Sequence, residues 1–150
     1  KIPTLEQYLQ AARKTKLELV LEVKPHATPE ADAEAVRKIV EMIGKYGLAK
    51  RVTYISFSFH ALKELVRVAP AKTPIMYLGG GTPSHVGMTG CDFNYWVFQN
   101  NPTWLHSIKW LKMASNIWTV NNPVEMLWVI ENGFDFITTD RPDLFLRLVR

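Results

Sequence analysis

The stretch L-E-L-V-L-E-V-K-P, Leu17–Pro25, decides how the chain is organised. Its run of Leu and Val predicts a buried strand over Leu17–Lys24. Glu22 and Lys24 stand two residues apart in this strand, so both side chains point to the same face. Because an unpaired buried charge is strongly unfavourable, the two charges indicate a structural ion pair, a strand end that reaches water, or a functional site.

Strands and helices alternate along the rest of the chain. Apolar spacing and helix caps predict five further strands, which are Val52–Ser58, Pro74–Leu78, Phe93–Phe98, Asn116–Val120 and Phe134–Thr138. Helices are predicted over 4–13, 28–46 and 60–68, from Asn101-Pro102, between Asn122-Pro123 and Gly133, and from Arg141-Pro142. This alternation is typical of an α/β fold with a parallel sheet. It leaves open whether the sheet is doubly wound or part of a barrel.

Composition limits the classes of protein and partner. With 150 residues, 47% of them hydrophobic and 21% charged, the chain has the composition of one globular domain. The net charge of +4 is scattered without a basic block, so nucleic acid is not indicated as a partner. The apolar runs are too short for a membrane span, and the single Cys91 is expected to be a packing residue. Because the chain begins with Lys1 rather than Met, we expect its native N-terminus to lie further upstream.

Candidate functional positions follow from the strand ends. Both α/β architectures place ligands at the carboxyl ends of the strands, which here carry Glu22, Lys24, Ser56–Ser58, Tyr77, Trp118–Asn121 and Thr138–Asp140. Each position alone also has an ordinary structural explanation, such as core packing or a helix cap. Gly79-Gly80-Gly81 lacks the spacing of a nucleotide-binding loop, so a doubly wound nucleotide-binding domain is the weakest alternative.

Five motifs, in this order along the chain, resemble the glycerophosphodiester phosphodiesterase family. They are I-P-T-L-E-Q-Y-L (2–9), L-E-V-K-P (21–25), S-F-S-F-H-A-L-K-E-L (56–65), W-T-V-N-N (118–122) and F-D-F-I-T-T-D-R-P-D (134–143). The resemblance is to the later part of the family's domain. It implies a TIM-type (β/α)8 barrel, of which residues 1–150 form a single domain covering about strands 3 to 8 as a partial barrel.

The resemblance also implies roles for individual residues. Glu22 matches a carboxylate that binds a divalent cation, Ca²⁺ or Mg²⁺, and hard oxygen donors suit both ions. Lys24 matches the cation beside the phosphate, where it neutralises developing charge. Phe57 and Trp118 match the apolar rim around the glycerol or alcohol moiety of the substrate. The two remaining motif residues, Asn121 and Asp140, are interpreted as loop and helix-cap structure.

The chain departs from the family's pattern in two respects. Ser58 stands where the family's S-F-D pattern has an aspartate. The family's H-R-G strand, Glu-x-Asp pair and His-Asp motif are absent, so we predict no catalytic general acid or base in this chain. The four histidines, His26, His60, His85 and His106, are interpreted as surface or loop residues. A complete barrel takes about 250 residues and eight strands, so we expect an N-terminal segment, a separate polypeptide or a second copy to complete it.

For the complete protein, the resemblance implies metal-dependent hydrolysis of a glycerophosphodiester to glycerol 3-phosphate and an alcohol, with one histidine as base and another as acid. We expect the 150-residue chain alone to be inactive. Two other classes stay open. One is a non-catalytic barrel-type module for binding or assembly, and the other is a related phospholipase or sphingomyelinase-like lyase that cyclises its substrate. The alcohol, the cation, the compartment and the oligomeric state are not determined by the sequence.

Overall fold

The computed structural model describes residues 2–79 and 87–150. The chain divides into two compact units, Lys1–Tyr77 and Leu78–Arg150. Each unit contains three parallel strands and the helices that connect them. The predicted loop at Gly79–Gly81 and the unassigned segment that follows lie mostly outside the described residues.

The first unit contains three strands and three helices that alternate along the chain. Its strands are β1 (Leu19–Glu22), β2 (Val52–Ser56) and β3 (Ile75–Tyr77), and its helices are α1 (Leu5–Ala12), α2 (Pro29–Lys45) and α3 (Phe59–Val68). In the parallel register Glu22 lies opposite Ile55, and Ser56 lies opposite Tyr77. The strand predicted over Leu17–Lys24 is therefore too long, because β1 ends at Glu22 and Lys24 lies in the loop beyond it.

Local capping explains where the helices of this unit begin and end. Thr4 and Gln7 form the reciprocal capping box of α1. The side chain of Thr28 accepts the backbone N–H of Ala31 at the start of α2, and Gly47 follows this helix with a φ of +70°. The predicted starts and ends of these helices are confirmed to within two residues.

The core of the first unit lies between the strands and their helices. It comprises Leu9, Val36, Ile43, Val52, Tyr54, Leu62, Leu65 and Ile75, all of them buried. Burying a side chain of this size contributes roughly 1.5–3 kcal/mol relative to leaving it exposed. Within β2 the residues Val52, Tyr54 and Ser56 are buried while the alternate positions are half-buried, so this strand has two different faces.

Glu64 connects α3 to α2 through a charged hydrogen-bond network. Its carboxylate accepts hydrogen bonds from Arg67 Nε and Nη2, at 2.8 and 2.6 Å, and from Arg37 Nη1 at 2.8 Å. The hydrogen bonds from Arg67, followed by those from Arg37, outweigh burial and lower the pKa of Glu64 to about 2. The network therefore holds a carboxylate charged in the folded state at pH values where the unfolded chain would protonate it.

Replacing Glu64 by glutamine is expected to lower the free energy of unfolding at neutral pH by about 1 kcal/mol. The effect is this small because the network lies near the surface. The folded-state pKa is depressed, so the stabilisation is present above the ordinary pKa of 4.5 and is lost as the pH falls through about 2. Urea unfolding across this range measures the effect, with Glu41→Gln on the exposed side of α2 as control. If the difference in unfolding free energy between wild type and Glu64→Gln stayed constant with pH, the proposed role of the Glu64 charge would be wrong.

In the described part of the second unit, the first element is a strand and the last is a helix. Its strands are β4 (Gly90–Asn94), β5 (Ala114–Trp118) and β6 (Phe136–Ile137), and its helices are α4 (Tyr95–Asn100), α5 (Trp104–Trp110), α6 (Pro123–Asn132) and α7 (Pro142–Leu148). In the register Asn94 lies opposite Trp118, and Ile117 lies opposite Ile137. Gly133, with a φ of +64°, ends α6 as predicted.

The strand predicted over Phe93–Phe98 is wrong for most of its length. β4 ends at Asn94, whose Oδ1 accepts the backbone N–H of Trp96 at 2.9 Å and so begins α4. A run of aromatic and β-branched residues favours a strand by propensity. Here the asparagine cap and the packing of the Phe98 ring against Phe93 and Phe134, with centroids 5.7 and 4.8 Å apart, favour the helix instead.

Two smaller predictions also need correction or confirmation in this unit. α5 begins at Trp104, two residues after the predicted Asn101-Pro102 start. On α6 the buried residues are Met126 and Val129, whereas Leu127 is exposed. Cys91 is fully buried, and burial raises the pKa of its thiol to about 12, which agrees with a packing role.

No helix among the described residues is long and apolar enough to cross a membrane.

Candidate functional site

Glu22 and Lys24 form an ion pair at the carboxyl end of β1. Lys24 Nζ donates a hydrogen bond to Glu22 Oε1 at 2.7 Å, so the two side chains lie on the same side of the chain as predicted, although Lys24 follows the last residue of β1. The side chain of Glu22 is 27% exposed and that of Lys24 is 74% exposed. Neither charge is fully buried, which agrees with two of the three explanations left open by the sequence, an ion pair and a strand end that reaches water. An exposed pair contributes only about 0–1 kcal/mol to stability, so both charges remain available to a ligand at little cost.

The residues that could hold a metal ion are fewer than a complete site needs. Calcium takes roughly six to eight oxygen ligands, and magnesium takes six. Within residues 2–79 and 87–150 no three His, Cys, Asp or Glu side chains lie close enough together to hold a metal ion. Glu22 is a hard oxygen donor at a strand end that fits either cation. The described part of the chain therefore does not contain a full coordination shell.

Asp32, in the first turn of α2, is a buried carboxylate beside this strand end. It accepts the backbone N–H of His26 at 2.7 Å, its Oδ1 lies 3.1 Å from His26 Nδ1, and its Oδ2 accepts the hydroxyl of Ser58. Burial raises the pKa of Asp32, but the hydrogen bonds from Ser58 and His26 outweigh it and hold the pKa below its usual value. Asp32 is thus a charged group that binds one residue in each of two loops, His26 after β1 and Ser58 after β2.

Asp32 is not indicated by any motif in the sequence. An acidic residue in the first turn of a helix is ordinary, because it is favoured by the helix dipole. The signal that sets Asp32 apart is its burial, with a side chain only 4% exposed, and burial at this position follows from tertiary packing.

The S-F-S turn after β2 connects this carboxylate to the sheet. Ser56 Oγ donates to the carbonyl oxygen of Val23 at 2.6 Å and accepts the backbone N–H of Ser58 at 2.9 Å. Ser58 Oγ accepts the backbone N–H of Ala61 and so caps α3. Phe57, between the two serines, remains exposed at the end of β2. The turn therefore links the ends of two strands and presents the Phe57 ring outward.

Trp118 lies at the carboxyl end of β5 in the second unit. Its indole Nε1–H donates to the carbonyl oxygen of Asp92 on β4 at 2.9 Å. The residue is half-buried, which differs from a fully buried core tryptophan. One edge of the ring is thereby fixed to the neighbouring strand while part of its surface reaches solvent.

Asn121 connects the loops that follow β5 and β6. Its Nδ2 donates to Asp140 Oδ2 at 2.8 Å, and its Oδ1 accepts the backbone N–H of Asp140 at 2.8 Å and the hydroxyl of Thr139 at 3.0 Å. The interpretation of these residues as loop structure is confirmed. The helix-cap interpretation of Asp140 is wrong, because Arg141 occupies the N-cap position of α7 and the Asp140 carboxylate is bound by Asn121.

The histidines have different surroundings. His60 on α3 and His106 on α5 are exposed, as predicted, and His85 lies outside the described residues. His26 is in the loop after β1, where it is 44% exposed but is held by Asp32. His26 is therefore a surface residue with an ordered ring, which the sequence interpretation did not distinguish from the others.

Each unit consists of strands and helices in alternation, with polar and aromatic residues at the carboxyl ends of its parallel strands. This arrangement is typical of the class of barrel enzymes. The model of the glycerophosphoryl diester phosphodiesterase family matches residues 1–144, and the chain belongs to this family. The predicted fold, an α/β fold that forms part of a TIM-type barrel, is confirmed.

Individual relatives agree with the family assignment. The glycerophosphodiester phosphodiesterase of Caldanaerobacter subterraneus subsp. tengcongensis is 26% identical over 154 residues, which cover 100% of this chain and 63% of that protein. The crystal structure of a glycerophosphodiester phosphodiesterase from Parabacteroides distasonis matches with a TM-score of 0.94 and 43% identity, over 98% of this chain and 63% of that one.

A third relative shows likeness of fold. It is the structure of an Oleispira antarctica phosphodiesterase in complex with the product sn-glycerol-3-phosphate, with a TM-score of 0.84 and 21% identity, covering 99% of this chain and 61% of that one. In all three comparisons the chain spans less than two thirds of the relative's length.

Proposed function

We propose that this chain forms the later part of the catalytic domain of a metal-dependent glycerophosphodiester phosphodiesterase, with residues 1–150 belonging to one barrel domain. The whole protein would hydrolyse a glycerophosphodiester to glycerol 3-phosphate and an alcohol. The observation that carries the proposal is the accessible Glu22–Lys24 pair at the carboxyl end of β1, in a chain that belongs to this family. The sn-glycerol-3-phosphate complex of the Oleispira antarctica phosphodiesterase supports the choice of product.

The two members of the pair would have different roles. Glu22 would hold a divalent cation, Ca²⁺ or Mg²⁺, which when bound supplies positive charge against the phosphoryl oxygens. Lys24 would turn from Glu22 to a non-bridging phosphate oxygen, where its ammonium stabilises negative charge. Because the pair is exposed and weak, exchanging its internal contact for these ligands costs little.

Phe57 and Trp118 would contact the carbon atoms of the substrate. Each presents aromatic surface at the carboxyl end of its own strand, Phe57 after β2 and Trp118 at the end of β5. Apolar lining with few polar groups is typical of small-molecule sites. We propose that these rings bind the glycerol or alcohol moiety by apolar contact.

The general acid and base would come from the part of the family's domain that this chain does not span. The free edge of β1 supports this view, since among the described strands only β2 pairs with it. A groove of about 540 Å³ lies along that edge, lined by Leu5, Leu9, Leu17, Leu19 and Leu21, and Val20 is 57% exposed. An N-terminal segment of the same protein, or alternatively a second copy, would cover this edge and complete the barrel.

Phosphorus NMR of the products tests the proposed reaction. We expect the polypeptide that joins this chain to the remaining part of the domain to release glycerol 3-phosphate in the presence of Ca²⁺ or Mg²⁺. We expect the 150-residue chain alone to show no turnover. A cyclic phosphodiester product would indicate a lyase instead, and no turnover by the joined polypeptide would indicate a non-catalytic module.

A further inference from the structure

We propose that His26, oriented by Asp32, is a further phosphate-binding residue at the carboxyl end of β1, beside Lys24. This inference rests on the proposed function, because it assumes that the phosphate lies near Lys24. His26 would contact the phosphate through its Nε2 atom. Asp32 would be a positioning residue that acts only through His26.

The ring of His26 is held by a single carboxylate. Asp32 Oδ1 accepts the backbone N–H of His26 at 2.7 Å and lies 3.1 Å from the ring Nδ1. A carboxylate accepts and does not donate, so Nδ1 carries the hydrogen in this contact. The nitrogen left for an outside partner is Nε2, and the side chain is 44% exposed. The loop therefore presents one defined imidazole nitrogen to solvent.

Asp32 is itself fixed by contacts at the starts of two helices, its own helix α2 and α3. Its backbone N–H donates to the carbonyl oxygen of Thr28 in the first turn of α2. Its Oδ2 accepts the hydroxyl of Ser58, which caps α3. The neighbouring Ser56 hydroxyl binds the carbonyl oxygen of Val23, just before Lys24. His26 is thus attached to a framework that also positions the Lys24 loop, and such preorganisation is what a ligand-binding group requires.

A positive charge stands close to His26 along the chain. Lys24, two residues before His26, carries an exposed ammonium that is paired with Glu22, while Asp32 from α2 contacts the ring of His26 and the hydroxyl of Ser58. The imidazole would lie between the Asp32 carboxylate on its Nδ1 side and a charged phosphate oxygen on its Nε2 side. Hydrogen bonds of this charge-assisted kind are roughly twice as strong as neutral ones.

The position in the fold also favours this role. His26 follows β1 and Asp32 lies in the first turn of the next helix, so both are at the carboxyl end of the strand. This is the end at which α/β barrels bind their ligands. His60, the second residue of α3, is exposed and has no carboxylate partner among the described residues, so it provides a matched control.

NMR of the imidazole nitrogens in the full chain tests the proposal with glycerol 3-phosphate as the probe. In the free protein we expect His26 to carry its hydrogen on Nδ1, and we expect Asp32→Ala, which removes the acceptor, to abolish this preference. Adding the probe should shift the Nε2 and Cε1–H signals of His26 together with the backbone signals of Lys24, and should leave His60 unchanged. Shifts at Lys24 without shifts at His26 would overturn the inference while the proposed function stands.

Kinetics of the joined polypeptide provide the second measurement. His26→Gln is expected to raise KM for the glycerophosphodiester by about tenfold, the effect of losing one charge-assisted hydrogen bond. His60→Gln should leave KM unchanged. A KM for His26→Gln equal to that of wild type would overturn the inference. Absence of turnover in the wild type would overturn the proposed function instead, and the NMR shifts would then decide the role of His26.

Discussion

Replacing Glu22 by glutamine is expected to weaken divalent-cation binding to the joined polypeptide by about 100-fold or more, with a corresponding loss of diesterase activity. Loss of a group that only orients a metal ligand typically costs 10- to 100-fold, and Glu22 would be a ligand itself. The amide has nearly the shape of the carboxylate but lacks its charge, and hard cations prefer charged oxygen donors. Calorimetry with Ca²⁺ and with Mg²⁺ measures the loss.

The fold should not change in this variant. A glutamine Oε1 can still accept the hydrogen bond from Lys24, and the exposed pair contributes at most about 1 kcal/mol. Thermal unfolding of the variant in the absence of cation should therefore resemble that of wild type. If Glu22→Gln bound the cation as tightly as wild type does, the ligand role would be wrong.

Glu18→Gln is the matched control for this experiment. Glu18 is exposed, precedes the same strand, and undergoes the same chemical change. It should leave cation affinity nearly unchanged, since a single exposed charge away from the site acts weakly through solvent. Equal losses for Glu18→Gln and Glu22→Gln would indicate non-specific attraction of the cation and would count against a site at Glu22.

Replacing Ser58 by aspartate is expected to destabilise the chain by about 2–3 kcal/mol at neutral pH. The new carboxylate would stand next to the buried Asp32, which now accepts the Ser58 hydroxyl. Two close carboxylates cannot both ionise without penalty, so the pKa of one of them is raised. The loss should therefore be largest above this raised pKa and should shrink as the pH falls and one carboxyl is protonated.

Two controls separate charge from shape at this position. Ser58→Asn has nearly the size of the aspartate, can still cap α3 and can donate to Asp32, so it should cost much less. The double variant Asp32→Ser, Ser58→Asp leaves one carboxylate in the cluster and should recover most of the stability lost in Ser58→Asp. Urea unfolding of the three variants measures these differences. Equal stabilities for Ser58→Asp and Ser58→Asn would contradict the electrostatic explanation.

This pair of residues explains the departure from the family's S-F-D pattern. At the third position of that pattern the chain has Ser58, and its hydroxyl is bound by a carboxylate that comes from α2. Ser58 keeps the capping role that an aspartate would have, since it accepts the backbone N–H of Ala61. The negative charge at this point of the structure is supplied by Asp32 and not by the turn itself.

Helix boundaries were predictable because the contacts that set them are local. The capping box joins Thr4 to Gln7, and Thr28 binds the backbone of Ala31, each only three residues away. Such pairs are visible as sequence patterns. The prediction of a strand over Phe93–Phe98 was wrong for most of its length because the aromatic residues there fit either a helix or a strand. The Asn94 cap and the ring contacts of Phe98 decide between them.

The sequence by itself determined the alternation of strands and helices, the family, and the placement of Glu22 and Lys24 on one side of the chain at the end of β1, since all of these follow from short-range spacing and ordered motifs. Only the tertiary structure decided that this pair is exposed and that His26, Asp32 and Ser58 share one cluster. Ser58 lies 26 residues from Asp32 along the chain, and their contact depends on the packing of α2 against α3, the helix that Ser58 caps. Burial and long-range hydrogen bonds of this kind arise from the fold and leave no local pattern in the sequence.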